Sequence, residues 1–265
     1  MLKVYIEAIG LSAPGMHSWA DAQPLFRDAA APYEATPLEK YKPERLPANE
    51  RRRATDLVRL AFRVCEDATA QSQIPAADCA TVFASSGGDY PIVDQICRSL
   101  TESEKLVSPT QFHNSVHNSA AGYWSIAVGS REASTSLSSY DDSFSLGLLE
   151  AALLVTEANK PCLFTCYDLK PPPPLSFKRL ITFECGIAMV LTNTLTTQSC
   201  AALTIHVSHN TDIHRCQHPD LEKLRLGNPA ARGFPLLEAI SRSRPARILL
   251  PMGAGSLSIE VSSCC

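Results

Sequence analysis

Residues 134–155, STSLSSYDDSFSLGLLEAALLV, decide how the chain is read. Small and polar residues form a turn that runs straight into a helix. Ser138, Ser139, Asp141, Asp142 and Ser143 are favoured helix-start residues, and Leu146, Leu149, Glu150, Leu153 and Leu154 follow at i, i+3, i+4, i+7 and i+8. A side chain at such a start faces the unsatisfied N–H groups of the first turn.

In many α/β enzymes this junction displays a nucleophile, because the helix dipole stabilises an anion there and a tight turn exposes the side chain. Here it offers Asp141 and Asp142 and no thiol. A carboxylate that accepts backbone hydrogen bonds at a helix start is a weak base and a poor acyl acceptor. The scaffold therefore reads as an enzyme's, and the reactive group does not.

Upstream, Leu2–Leu11 alternates as a strand that ends at Pro14-Gly15. A short helix is expected over 19–27, a proline-rich surface excursion over 29–48, and one long amphipathic helix over 49–70 with Leu57, Leu60, Ala61, Val64, Cys65 and Ala68 on its apolar face. CATVFA at 79–84, the Ser85-Ser86-Gly87-Gly88 turn and a helix over 91–100 make a βαβ-type unit whose loop lies at the carboxyl edge, where sites gather. A tight turn needs the same glycines as a phosphate loop, so Gly87-Gly88 does not by itself point to a nucleotide. His113 and His117, four apart, share a face if one helix carries both.

Downstream, 161–168 reads as a buried strand, and Pro171–Pro174 as an extended polyproline loop. Two apolar strands at 186–192 and 201–207, joined by the polar stretch TNTLTTQS, suggest a hairpin, and 247–261 reads as strand, glycine turn, strand. His206, His209, His214, Cys216 and His218 admit a zinc site or a histidine-rich loop, and their spacing favours the loop. With 24 basic and 27 acidic residues the composition makes no case for nucleic acid. The Arg51-Arg52-Arg53 cluster reads as a surface patch, with docking of an acidic partner as the sharper alternative. No apolar run is long enough to cross a bilayer, the N-terminus reads as a strand, and a cytoplasmic protein is expected. The ten cysteines are then small buried hydrophobes without structural disulfides, the terminal Cys264-Cys265 pair an exposed end.

In this order the features resemble the β-ketoacyl synthases of the thiolase fold. They are the opening strand with Ser12-Ala13-Pro14-Gly15, the Val82-Phe83-Ala84-Ser85-Ser86-Gly87-Gly88 turn, Ser108-Pro109 with Phe112, Ser115, Asn118, Ala121 and Gly122, the turn and helix of 138–155, and the strand Gly186–Leu191. The likeness covers most of 1–207. It is strongest to the short chain-length factors, in particular those of aryl polyene and xanthomonadin-type pigment pathways. The resemblance implies an α/β thiolase-like mixed sheet with flanking helices in a single domain, 1–207 matching the ketosynthase N-terminal half and 208–265 a reduced C-terminal part.

In an active condensing enzyme a cysteine sits at the turn before the helix; registering Gly147, Glu150 and Ala151 on that pattern puts Asp141 in its place. The family's His-Gly-Thr-Gly-Thr element and its Asn-containing glycine loop are also missing, and Gly253-Ala254-Gly255-Ser256 resembles only the end of the fold. The resemblance therefore implies a catalytically silent subunit without metal or cofactor that pairs with an active ketosynthase, works with an acyl carrier protein and shapes the acyl tunnel. Ser115, Asn118, Ala120, Ala121, Tyr140 and Phe144 are its expected interface and tunnel residues, within the stretch 115–127 and around the central turn. Two rivals stand beside this reading: a malonyl decarboxylase or acyl hydrolase using Asp141 or Asp142 with His113 or His117, and a zinc-binding scaffold.

Overall fold

The computed structural model describes residues 1–264. Its strands are β1 (Leu2–Ser12), β2 (Ala80–Ala84), β3 (Ser134–Leu137), β4 (Cys162–Asp168), β5 (Cys185–Thr192), β6 (Ala201–Ser208), β7 (Ala246–Met252) and β8 (Gly255–Ser263). They form one mixed sheet in the order β3-β2-β4-β5-β1-β6-β8-β7. The β2 strand runs parallel to β3 and β4, and every other neighbouring pair is antiparallel. This is the mixed α/β sheet expected from the sequence.

Helices cover both faces, so β4 and β5 are buried at every residue, as strands between two layers must be. On one face lies α3 (Asp56–Gln71), whose Leu57, Leu60, Ala61, Val64, Cys65 and Ala68 are all buried, together with α6 (Ser119–Val128). On the other lie α7 (Ser143–Ala158), α1 (Trp19–Arg27) and α9 (Phe234–Ser241), packed through Phe26, Phe144, Phe164 and Phe234. Two glycines allow these layers to touch the sheet. A Cβ on Gly10 would lie 2.1 Å from the Val64 carbonyl oxygen of α3, and one on Gly147 would lie 2.6 Å from the Phe164 ring. The central helix α7 therefore meets the sheet through Gly147, Leu148, Ala151, Ala152 and Val155, while Leu153 of the expected leucine pattern faces outward.

The remaining helices are α2 (Ala48–Arg53), α4 (Tyr90–Thr101), α5 (Pro109–Ser115) and α8 (Pro219–Gly227). The single helix expected over 49–70 is two, α2 and α3. Ala54 adopts an extended conformation, and Thr55 Oγ1 accepts the Val58 N–H at 3.3 Å, capping a new start. No single helix carries both His113 and His117, the condition for their sharing a face: α5 ends at Ser115, and Val116 is extended. The proline run closes with a cis Pro173–Pro174 bond into a turn at 175–177 in place of continuous polyproline.

The β5 and β6 strands do not form a hairpin. Each pairs antiparallel with β1, one on either side, β5 along Tyr5–Ser12 and β6 along Leu2–Ile6. The connection 193–200 steps across β1 at a bulge between Ile6 and Ala8, where the buried Glu7 carboxylate anchors the crossing. It accepts from Gln73 N at 2.8 Å, Ser72 Oγ at 3.0 Å and Thr196 Oγ1 at 3.3 Å. A polar loop between two apolar runs marks a connection; it does not say that a third strand lies between them. Six cysteines (Cys65, Cys79, Cys162, Cys166, Cys185 and Cys216) are buried. Of the expected exposed end, Cys264 is half-buried and Cys265 lies outside the described residues.

Candidate functional site

The parallel strands β2, β3 and β4 end at one edge of the sheet. Beyond β2 the Ser85–Gly88 turn rests on Asp168, the last residue of β4. Asp168 Oδ1 accepts from Ser86 Oγ at 2.7 Å, Ser86 N at 2.8 Å and Ser85 Oγ at 3.1 Å. Its Oδ2 is buried with no partner among the described residues. Burial pushes the Asp168 carboxyl up to about 7, against the pull of the Ser86 and Ser85 hydrogen bonds and the positive charge of Arg179. From the sides Ser138 Oγ donates to the Ser86 carbonyl at 2.9 Å, and His117 Nε2 lies 3.1 Å from the Ser85 carbonyl.

Beyond β3 the chain bends sharply. Tyr140 takes a left-handed conformation at φ 52°, residues 140–142 make one 3-10 turn, and α7 starts at Ser143. A non-glycine residue at positive φ is strained and is held there by its surroundings. Ser143 supplies part of the hold, accepting from Ser139 N at 3.0 Å and donating to the Tyr140 carbonyl at 2.8 Å. The strained residue thus stands one position before Asp141.

Neither carboxylate caps the helix as the sequence led us to expect. Asp141 Oδ1 takes Arg179 Nη1 at 2.6 Å, and its Oδ2 lies 3.9 Å from Arg232 Nη2. The Arg179 guanidinium stacks 3.7 Å over the Tyr140 ring and its Nε lies 3.3 Å from the Tyr90 hydroxyl. Burial alone would lower the Arg179 pKa, but the hydrogen bonds to Asp141 and Tyr90 outweigh it and raise the value. Asp142 Oδ2 instead accepts from Gly253 N at 2.7 Å, tying the helix start to the β7–β8 turn. A polar recess of about 260 Å³ beside Asp141 is lined by Tyr140, Lys178, Arg179, Asn228 and Arg232.

The acid–base pair of the enzyme reading is not assembled. Asp141 is engaged by two arginines, His113 lies edge-on to Tyr123, and His117 serves the Ser85 turn. Two members of the histidine-rich segment are likewise spent on structure. His218 caps α8, its Nδ1 accepting from Asp220 N at 3.1 Å, and His214 pairs with Leu249 of β7. Among the described residues no three His, Cys, Asp or Glu side chains are placed to hold a metal ion.

The expected interface residues divide. Ser115 is half-buried, and Asn118 and Tyr140 are exposed. Ala120, Ala121 and Phe144 are 1 %, 3 % and 0 % exposed and pack inside this chain, so they present no surface to another subunit. The outward residues beside them are Phe112, Val116 and Ile126, and β3 is the sheet's edge, paired only with β2. Sequence reading missed Asp168, Arg179 and Arg232 as parts of the site. Asp168 carried a usable signal, a lone acid closing an otherwise apolar strand; Arg179 in a bend and Arg232 in the short 3-10 helix Ala230–Gly233 carried none.

The family model described as "Beta-ketoacyl synthase, N-terminal domain" matches residues 17–226. No curated protein matches the sequence. Among solved structures the chain is similar to one of a ketosynthase (ApeO) in complex with its chain length factor (ApeC) from Xenorhabdus doucetiae, at 20% identity and TM-score 0.69, covering 99% of this chain and 100% of that one. It is also similar to the ishigamide ketosynthase/chain length factor, at 13% identity and TM-score 0.71, covering 98% and 99%. A third is AntDE:AntF, a type II polyketide synthase acyl-carrier protein in complex with its ketosynthase, at 12% identity and TM-score 0.76, covering 99% of both chains. Among the described residues no helix is long and apolar enough to cross a membrane. With a thiolase-like sheet, a strained turn at the start of its central helix and the family model spanning most of its length, the chain belongs to the β-ketoacyl synthase family.

Proposed function

We propose that this chain is the non-condensing partner of an active ketosynthase, a chain-length factor that helps to shape the tunnel for a carrier-protein-bound acyl chain. One observation carries the reading: the turn that presents a nucleophile in condensing enzymes presents Tyr140 at its strained position, followed by an ion-paired Asp141. Neither a phenol nor a carboxylate locked to a guanidinium replaces a thiolate as acyl acceptor. Two of the similar structures are named as ketosynthase with chain length factor and the third as an acyl-carrier protein with its ketosynthase, which supports the same partners here.

The pairing surface we assign is the free edge of β3 with Phe112, Val116 and Ile126 and the accessible Ser115, Asn118 and Tyr140. An unpaired strand edge beside exposed apolar side chains is what a two-fold-like interface covers. Exposed Arg52 and Arg53 on α2 offer charge to an acidic carrier protein. The test is co-expression with the full-length ketosynthase and carrier protein. The two subunits should co-purify, Asp141→Ala should keep both assembly and product, and mass spectrometry during turnover should find acyl groups on the ketosynthase. Acyl groups covalently bound to this chain, or loss of all product in a normally assembled Asp141→Ala complex, would refute the proposal.

A further inference from the structure

At the far edge of the sheet from β3, a cleft of about 710 Å³ opens between the end of α1, the 209–218 segment, the end of α9 and β7. Arg27, Arg215, Arg242, Arg244 and Arg247 line it together with His214, against a single carboxylate, Glu238. That carboxylate is already used. It is 4 % exposed, accepts from Gln217 N at 3.0 Å on each oxygen, and takes Arg242 Nη2 at 3.0 Å. The cleft therefore holds four net positive charges in a chain whose net charge is −3.

The guanidinium groups are also underused. Arg27 and Arg247 each engage one nitrogen, Nε, with the Ser241 carbonyl at 3.2 Å and Ser258 Oγ at 3.1 Å. Among the described residues Arg215 and Arg244 make no hydrogen bond or ion pair. Helix dipoles account for Arg27 and Arg242, which end α1 and α9. They do not account for Arg215, Arg244 and Arg247, which come from other segments and converge on the same concavity. Like charges gathered in a concave, partly apolar site repel one another, and a bound anion relieves the repulsion.

We propose that this cleft binds a phosphate-bearing small molecule. Guanidinium forks match phosphate oxygens in pairs, and the volume is that of a small-ligand site. Pro235, Ala239 and Ile248 supply an apolar wall for the uncharged part of a nucleotide-like ligand. The inference stands apart from the partner reading, because it concerns a different edge of the sheet and no residue of the central turn.

Titration calorimetry of the full chain, in complex with its ketosynthase if it is obtained that way, tests it with pyrophosphate, ATP and AMP at 0.15 M salt, about physiological ionic strength. Saturable binding of pyrophosphate or ATP is expected, weakened about tenfold or more in Arg215→Ala/Arg244→Ala with an unchanged melting temperature. The single change Arg244→Glu, at an exposed side chain, should weaken binding in the same direction. Pyrophosphate matching ATP would mean that the phosphates alone are read; ATP binding more tightly would bring in the apolar wall. No binding beyond that of added chloride would overturn the proposal, as would binding unaffected by the double substitution. Capture of an acidic protein with which pyrophosphate does not compete would overturn it in favour of a docking surface.

Discussion

Asp168→Asn isolates the buried carboxyl under the Ser85–Gly88 turn. The folded state holds this proton up to about pH 7, whereas the unfolded chain releases it at the ordinary value of 3.8. Because the folded pKa is raised, the native state binds more protons than the unfolded state between these values, and stability falls as pH rises through that window. At about 1.4 kcal/mol per pH unit the carboxyl costs about 4 kcal/mol at pH 8 and about 2 kcal/mol at pH 5. The side-chain oxygen of the substituted amide can still accept from Ser85 Oγ, Ser86 N and Ser86 Oγ, and the amide needs no proton. Every other titrating group is common to both proteins, so the difference between them reports this site. Urea unfolding of wild type and variant at pH 5, 6, 7 and 8 should show the variant's advantage growing by about 2–3 kcal/mol across the series. In thermal melts that is about 5–10 °C for a chain of this size. A difference that stays flat with pH, or a variant less stable at pH 8, would mean that the native carboxyl is ionised and satisfied, and the reasoning would fail.

Three further outcomes follow from the same geometry. Tyr140→Cys should place a reactive thiol at the strained bend, alkylated faster by iodoacetamide than Asp141→Cys, with exposed Cys97 as internal reference; peptide mass spectrometry reads the ratio, and the reverse order would move the nucleophile-equivalent position back to Asp141. Ile126→Asp or Phe112→Asp should abolish co-purification with the ketosynthase without lowering the melting temperature, because both side chains are exposed in this chain; Ala121→Phe should instead destabilise the subunit by about 1–3 kcal/mol through overpacking. Gly10→Ala should prevent recovery of folded protein, read by circular dichroism and gel filtration, because its Cβ would meet the backbone of α3 at 2.1 Å.

Periodicity along the sequence determined much of this molecule. Apolar runs of strand length, the amphipathic face of 57–68 and the small-residue turn into the central helix each encode their own local structure, since backbone and nearest neighbours set those preferences. The absence of a cysteine from residues 134–155, with Asp141 at the registered position, was legible as well, because it needs only the register of one turn and one helix. What crosses the sheet was not legible. The placement of β1 between β5 and β6 depends on a bulge at Glu7 and on hydrogen bonds 66 and 189 residues distant in sequence. The burial of Ala120, Ala121 and Phe144 depends on which face of each helix meets the sheet, and small residues serve a packed core as well as an interface. Arg179 from a bend and Arg232 from the 3-10 helix before α9 reach Asp141 from distant parts of the chain, and the Asp168 carboxyl is pushed up only because tertiary packing removes water from it. Local pattern chose the elements; long-range burial and charge pairing decided what the central turn can do.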